Sequence, residues 1–294
     1  MASTVYFSRE ITPEKVVELF NLLGFEPSGK VAVKLHSGEK GNQNYLKPEF
    51  WAPIVNHLNG TVVECNTAYG GARNTTKKHL KLLHAHKWDE FFDVDLMDEF
   101  DDDLVLPIEN GKILKENRVG RHMENYDSMV VLSHFKGHPM GGYGGALKQL
   151  SIGCASSRGK SLIHSAGKTD NQYSVWARCA KQDEFLESMA DAASSVVKFF
   201  GKNIAFVNVM KNISVDCDCC AVAEDPCMKD IGILASLDPI AIDQACIDLV
   251  YKATDDPGQK HFLERVESRH GVHTIEAAAE LGFGSREYEL VEIK

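Results

Sequence analysis

The sequence lacks the features that mark membrane-spanning, secreted and nucleic-acid-binding proteins. No apolar run approaches the roughly 18 to 20 residues that cross a bilayer, and the start "MASTVYFSREITPEK" has no basic region ahead of an apolar stretch. No Lys/Arg-rich tract is present and the formal net charge is -10, so the chain offers little attraction to a nucleic-acid backbone. We therefore expect a cytoplasmic protein that binds neither membranes nor nucleic acid.

Internal repeats, low-complexity tracts and Pro/Gly/Ser linkers are also missing from the 294 residues. Hydrophobic residues make up 44% of the chain and charged residues 25%, which is ordinary globular usage. The sequence therefore predicts a single domain over residues 1–294, either one compact unit or two interleaved lobes.

Short strands and amphipathic helices alternate along the first third of the chain. The runs "TVYFS", "KVAVKL" and "TVVECN" are rich in β-branched residues, and "ITPEKVVELFNLLGF" and "KPEFWAPIVNHLN" have helical periodicity. Buried strands are also predicted over 127–135 and 203–210, and an "ENGK" turn predicts a hairpin insertion within 88–127. This rhythm predicts an α/β fold, with a mainly parallel sheet and flanking helices.

Four of the eight cysteines fall in "ISVDCDCCAVAEDPC", residues 213–227. A reducing compartment disfavours disulfides. The order Cys217-x-Cys219-Cys220-x6-Cys227 lacks both the ferredoxin run C-x2-C-x2-C-x3-C-P and the paired C-x2-C knuckles of a zinc ribbon. Cys217 and Cys220 have C-x-x-C spacing, but no helix start follows them to lower a thiol pKa. A ferredoxin-type 4Fe-4S cluster is therefore not expected.

A mixed transition-metal site remains compatible with this loop. If the segment is extended, Cys217 and Cys219 share one face and Asp216 and Asp218 share the other. Thiolates together with imidazoles from other loops suit zinc, iron or nickel. We therefore predict Cys217, Cys219, Asp216 and Asp218 as metal ligands and Cys220 and Cys227 as bystanders, with buried inert thiols as the alternative.

Ligands of open α/β sheets bind beyond the carboxyl ends of the strands, so residues that follow buried strands are the catalytic candidates. They are His36, His134, Lys136 and His138. The spacing of His134 and His138 would place both on one face only in a helix, which Gly137 and Pro139 oppose. For each histidine, a structural hydrogen-bonding role is the alternative.

The glycine-rich stretch "GHPMGGYGGALK" matches neither the P-loop nor the G-x-G-x-x-G order. Its backbone N–H groups are nevertheless placed to face an anion ahead of a helix that begins near Ala146. The "RGKS" segment adds a lysine, and a histidine follows it. The predicted cofactor-binding or anion-binding residues are Gly141, Gly142, Gly144, Gly145, Lys160 and His164, with solvated surface charge as the alternative for "RGKS".

Three long stretches resemble the family known as domain of unknown function 362: "KVAVKLHSGE", "VLSHFKGHPMGGYGGALKQLSIGCASSRGKSLIH" and "VDCDCCAVAEDPCMKDIGILASLDPIAIDQACIDLV". Its members are often described as iron–sulfur-centre proteins. The resemblance implies a bacterial or archaeal cytoplasmic α/β protein. Many members carry two ferredoxin-type cysteine motifs after the segment that here ends in "KSLIH"; this chain has only Cys179 in that region.

Three functions remain open from the sequence. The first is a redox or isomerising enzyme, in which a metal or another cofactor and a small anionic substrate share a cleft lined by His, Cys and Gly. The second is a non-catalytic module of a redox system, which binds a small ligand or a metal and works with a redox protein partner. The third treats the cysteine loop as purely structural.

Overall fold

The computed structural model describes residues 2–100 and 102–294, so Met1 and Asp101, the latter within the predicted 88–127 insertion, lie outside the description. The strands are β1 Ser3–Ser8, β2 Val31–Lys34, β3 Thr61–Glu64, β4 Val94–Leu96, β5 Asp103–Pro107, β6 Glu116–Gly120, β7 Ser128–His134, β8 Lys136–His138, β9 Gly142–Gly144, β10 Ile204–Met210, β11 Gly232–Ser236 and β12 Tyr288–Glu292. The helices are α1 Pro13–Leu22, α2 Pro48–Leu58, α3 Thr76–Ala85, α4 Trp88–Phe91, α5 Ala146–Lys148, α6 Ser157–His164, α7 Gln182–Phe200, α8 Pro239–Lys252, α9 Gln259–Ser268 and α10 His273–Glu280.

The central sheet has the strand order β12-β1-β11-β10-β7-β2-β3-β4. Among these eight described strands only β11 runs against its neighbours, pairing antiparallel with both β1 and β10. The predicted α/β class with a mainly parallel sheet is therefore confirmed. No helix within the described ranges combines the length and the apolar character needed to cross a membrane.

The helix starts follow the local signals in the sequence. Thr12 accepts a hydrogen bond from the Lys15 N–H ahead of Pro13, and Asp238 caps α8 through the N–H groups of Ile240 and Ala241. Strands β7 and β10 are buried along their whole length, as central strands covered on both faces must be.

The 88–127 region contains the antiparallel hairpin β5–β6, and it also supplies β4 to the edge of the main sheet. A second hairpin, β8–β9, forms within the glycine-rich stretch. Helices α6 and α9, which are 8 and 10 residues long, were not predicted from the sequence.

Several loops meet at the carboxyl ends of β2, β3, β7 and β10. The Glu39 N–H donates to the Asp218 carbonyl at 2.8 Å, and the Gly137 N–H donates to the Ser214 carbonyl at 2.7 Å. A Cβ atom on Gly137 would lie 2.3 Å from the Val215 carbonyl oxygen, so only glycine permits this approach. The cysteine loop is thus held against the ends of the neighbouring strands.

Candidate functional site

A cavity of about 260 Å³ opens where these loops meet. Of the residues predicted from the sequence, it is lined by His36, Lys136, His138, Gly144, Gly145, Lys160, His164 and Cys219. Five cationic side chains contribute to the wall: Lys34, Arg73, Lys136, Lys148 and Lys160. The cavity therefore has the position and the charge expected of a site for a small anion.

Two thiols and an imidazole form a compact cluster at the cavity. One donor atom from each of His138, Cys217 and Cys219 lies within 4.8 Å of the others. Cys219 Sγ is 3.9 Å from His138 Nε2, and Cys219 lines the cavity while Cys217 lies directly behind it with 0% exposure. The sequence thus identified both thiols but did not assign His138 to them.

Lys148 and Cys219 control the charge of the Cys217 sulfur. Lys148 Nζ donates to Cys217 Sγ at 3.0 Å. Burial alone would raise the pKa of Cys217, but the hydrogen bond with Cys219, the charge of Lys148 and the hydrogen bond with His138 hold it well below its usual range. The same pairing raises the pKa of Cys219 well above the usual value. The pairing therefore favours the anionic form at Cys217 and the protonated form at Cys219.

The ring of His138 is oriented by the backbone. Its Nδ1 accepts hydrogen bonds from the N–H groups of Met140 at 3.1 Å and Gly141 at 2.8 Å. Burial and the neighbouring Lys148 charge lower the pKa of His138 to about 4, so the ring is neutral near pH 7. A neutral ring that accepts at Nδ1 carries its proton on Nε2, which faces the thiol pair.

Asp218 forms a buried ion cluster behind the cavity wall. Its carboxylate lies 2.8 Å from Lys136 Nζ and 2.9 Å from His134 Nδ1, and His134 Nε2 donates to the Lys211 carbonyl. Burial would raise the pKa of Asp218, but the charges of His134 and Lys136 hold it well below the usual value. The structure therefore places Asp218 and His134 as partners of one another, away from the cavity.

The cysteine loop is not the extended segment on which the sequence prediction rested. The Cys220 N–H donates to the Cys217 carbonyl at 2.9 Å and closes a turn. Asp216 points outward to Arg265 at 3.2 Å and also accepts from the Glu224 N–H. The two aspartates therefore lie outside the His–Cys cluster, because each is engaged by a different partner.

The N-terminus of α5, which follows the glycine run, is occupied by a side chain of this chain. Asp243 of α8 already occupies it, accepting from the Ala146 N–H at 2.8 Å and the Leu147 N–H at 3.0 Å. Gly142 packs against the backbone of Gly271. Gly141 and Gly142 are thus absent from the cavity wall, and the predicted backbone cradle is replaced by a side-chain carboxylate.

A second buried cluster lies at the ends of β2 and β3. Glu64 is 3.4 Å from Lys34 and 4.0 Å from Arg73. Burial would raise the pKa of Glu64, but the charges of Lys34 and Arg73 hold it well below the usual range. His36 accepts from the Gly38 N–H through Nδ1. Burial and Arg73 lower the pKa of His36 well below its ordinary value. The neutral ring therefore carries its proton on Nε2, as a hydrogen-bond donor at the cavity.

Helix α6 supplies a different part of the wall. Lys160 donates to the Ala155 carbonyl, no carboxylate of the described residues lies within ion-pair distance of it, and burial lowers its pKa. His164 stacks on Phe185 at 4.8 Å and lies 5.3 Å from Trp176. Burial lowers the pKa of His164 to about 3. This end of the cavity is thus aromatic, with one unpaired cation beside it.

Sequence reasoning missed several of the residues that shape the cavity: Glu64, Arg73, Lys148, Trp176 and Phe185. A charged residue inside an otherwise apolar strand, as in "TVVECN", was an available signal for Glu64. Lys148 and Trp176 carried no comparable signal, because their roles depend on how distant segments fold together.

Comparisons with known proteins give limited information on activity. No curated protein matches the chain. The solved structures that resemble it include the lactate racemase apoprotein from Thermoanaerobacterium thermosaccharolyticum, at 15% identity and a TM-score of 0.43, and a protein from Thermotoga maritima, at 13% identity and a TM-score of 0.43. The first comparison covers 69% of this chain and 50% of the other, and the second covers 92% and 59%. The chain therefore spans little more than half of either protein, and neither likeness supports an argument about chemistry.

The comparison with protein families is informative across most of the chain. Residues 31–248 match the family described as domain of unknown function, DUF362. The matched region begins at β2 and extends through most of α8, so it includes every residue of the cavity wall described above. The chain belongs to the DUF362 family.

Proposed function

We propose that this protein is a metal-dependent enzyme that acts on a small anionic substrate bound in the cavity. The observation that carries the proposal is the cluster of His138, Cys217 and Cys219, whose donor atoms lie within 4.8 Å of one another at the cavity wall. Two sulfurs and an imidazole suit zinc, iron or nickel. Three protein ligands leave a coordination position open, which is the arrangement of catalytic rather than structural sites.

The state of the thiols supports metal binding. Both sulfurs must be deprotonated before they can coordinate, which the lowered pKa of Cys217 favours and the raised pKa of Cys219 opposes. Binding is therefore expected to release protons and to strengthen as pH rises. Lys148, which now donates to Cys217, would turn toward the cavity and add a positive charge there.

His138 would be the weakest of the three ligands. Coordination through Nε2 requires the proton on Nε2 to leave, and a neutral ring would then carry its proton on Nδ1. Nδ1 instead accepts hydrogen bonds from two backbone N–H groups, and no acceptor among the described residues faces it that would stabilise a proton there. The thiolates would therefore supply most of the affinity, and H138A should weaken metal binding less than C217S does.

A bound metal would act as a Lewis acid toward a carbonyl group or a water molecule. The remaining chemistry belongs to side chains of this chain. Lys160 would bind the anionic group, and the Nε2–H of His36 would donate a hydrogen bond to the substrate. The neutral His164, stacked on Phe185, would present its ring face to an apolar part of the substrate.

The direct test is elemental analysis of protein purified without oxygen. We expect about one transition-metal ion per chain in the wild type and its loss in C217S and C219S. The matched control is C227S, since Cys227 lies in the same loop outside the cluster and donates to the Ile213 carbonyl. Equal metal content in all four proteins would show that the ligand assignment is wrong.

A second candidate function is a thiol-dependent enzyme without a metal. The specific observation in its favour is that Cys217 already has two partners suited to an anionic sulfur, the Lys148 ammonium at 3.0 Å and the hydrogen-bonding ring of His138. In that case the oxygen-free wild type would contain no metal, and oxidation would link Cys217 to Cys219 reversibly.

A further inference from the structure

The cavity has two chemically different ends, and we infer that they select a small anion that carries a flat or aliphatic apolar group, such as an aryl- or alkyl-substituted carboxylate. This inference rests on the proposed function, because it names the substrate class of the same cavity. It concerns binding alone, so it can be tested without turnover.

The apolar end is built from two aromatic rings and a histidine. His164 is stacked on Phe185, with the ring centroids 4.8 Å apart and the planes at 10°, and the Trp176 indole lies 5.3 Å from the same imidazole. Met140, Ile152 and Met189 complete this part of the wall. An apolar group bound against this surface removes apolar area from water, which favours binding, and the ring faces favour a flat group.

The anion-binding end lies one helical turn away. Lys160 and His164 are four residues apart on α6, so they occupy the same face with their Cβ atoms about 5–6 Å apart. The Lys160 ammonium gives one hydrogen bond to the Ala155 carbonyl and has two further donors. The other four cations of the wall differ: Lys34, Arg73 and Lys136 are each paired with a carboxylate, and Lys148 donates to the Cys217 sulfur.

The size of the cavity limits the ligand. Its volume of about 260 Å³ lies just below the range of about 300–1,000 Å³ that is typical for drug-sized ligands. An anion as small as acetate or phosphate would satisfy Lys160 and leave most of the aromatic surface uncovered. A carboxylate separated from a phenyl ring by one carbon would reach both ends.

The test is calorimetric titration of the full chain with acetate, phenylacetate and the neutral phenylacetamide. We expect phenylacetate to bind at least tenfold more tightly than acetate, which corresponds to 1.4 kcal/mol. W176A should reduce that preference to less than threefold without changing acetate affinity. K160M should weaken phenylacetate at least tenfold and leave phenylacetamide unaffected. Thermal melting of each variant checks that it is folded.

Trp176 also provides a local readout. It is 44% exposed, whereas Trp51 is 1% exposed and Trp88 is 0% exposed. Phenylacetate should therefore change the fluorescence of the wild type but not of W176F, which should keep the affinity. Equal binding of acetate and phenylacetate, no binding of phenylacetate, or a preference that survives in W176A would overturn the inference. The phenylacetate titrations do not depend on a bound metal. A wild-type protein that binds no metal would therefore overturn the proposed function and not this inference.

Discussion

Replacing Asp218 with asparagine should destabilise the protein far more than the same change at Asp216. The Asp218 carboxylate is 1% exposed and lies between Lys136 at 2.8 Å and His134 at 2.9 Å. An asparagine keeps the shape and can accept one hydrogen bond, but it cannot neutralise the buried ammonium. Removing one partner of such a pair costs about 3–5 kcal/mol, because it leaves an uncompensated buried charge.

The matched control is D216N. Asp216 is partly exposed and pairs with the partly exposed Arg265 at 3.2 Å, so its loss should cost no more than about 1 kcal/mol. Both variants are compared with the wild type by urea denaturation at pH 7, with similar m-values showing that the same surface unfolds. In thermal unfolding, at about 2 °C per kcal/mol for a chain of this size, D218N should melt roughly 6–10 °C lower.

The sign of the pH dependence follows from the lowered pKa of Asp218 in the folded state. Its stabilising effect is complete above the unfolded value of about 3.9 and is lost as pH falls below it. The gap between the wild type and D218N should therefore shrink on acidification below about pH 4. A D218N variant within 1 kcal/mol of the wild type at pH 7, or no more destabilised than D216N, would refute the ion-cluster reasoning.

Two further predictions concern the cysteine loop. G137A should cost about 1–3 kcal/mol in the free energy of unfolding, because its Cβ atom would lie 2.3 Å from the Val215 carbonyl oxygen. The control G70A, where a Cβ meets nothing within 4 Å, should be near neutral; equal effects would contradict the packing argument. K148M should raise the pKa of Cys217, because the substitution removes a cation 3.0 Å from the sulfur. The pKa is measured by titration of the thiolate absorbance. An unchanged titration curve would exclude Lys148 as a cause of the lowered pKa.

The fold was predictable to the extent that it depends on local patterns. Thr12 and Asp238 cap α1 and α8, each directly ahead of a proline, and the apolar runs of β7 and β10 form the buried centre of the sheet. The rule that ligands bind at the carboxyl ends of strands also led to His36, Lys136 and His138 before their contacts were known.

The remaining features depend on contacts between distant segments. The glycine run suggested an anion site, but Asp243, 97 residues from Ala146, fills that helix terminus. The absence of a helix start after Cys217 suggested an ordinary thiol, but Lys148, 69 residues away, supplies the positive charge instead. Neither contact leaves a spacing pattern in the sequence, because each arises only when the elements pack together.

Cobalt(II) titration of the metal-free protein without oxygen tests the central claim, a metal site made by His138, Cys217 and Cys219, most directly. We expect the wild type to bind one equivalent of cobalt and to show thiolate-to-metal charge-transfer absorption. This absorption should be lost in C217S and C219S and retained in C227S. Absence of that absorption in the wild type, or its survival at full intensity in both C217S and C219S, would contradict the account.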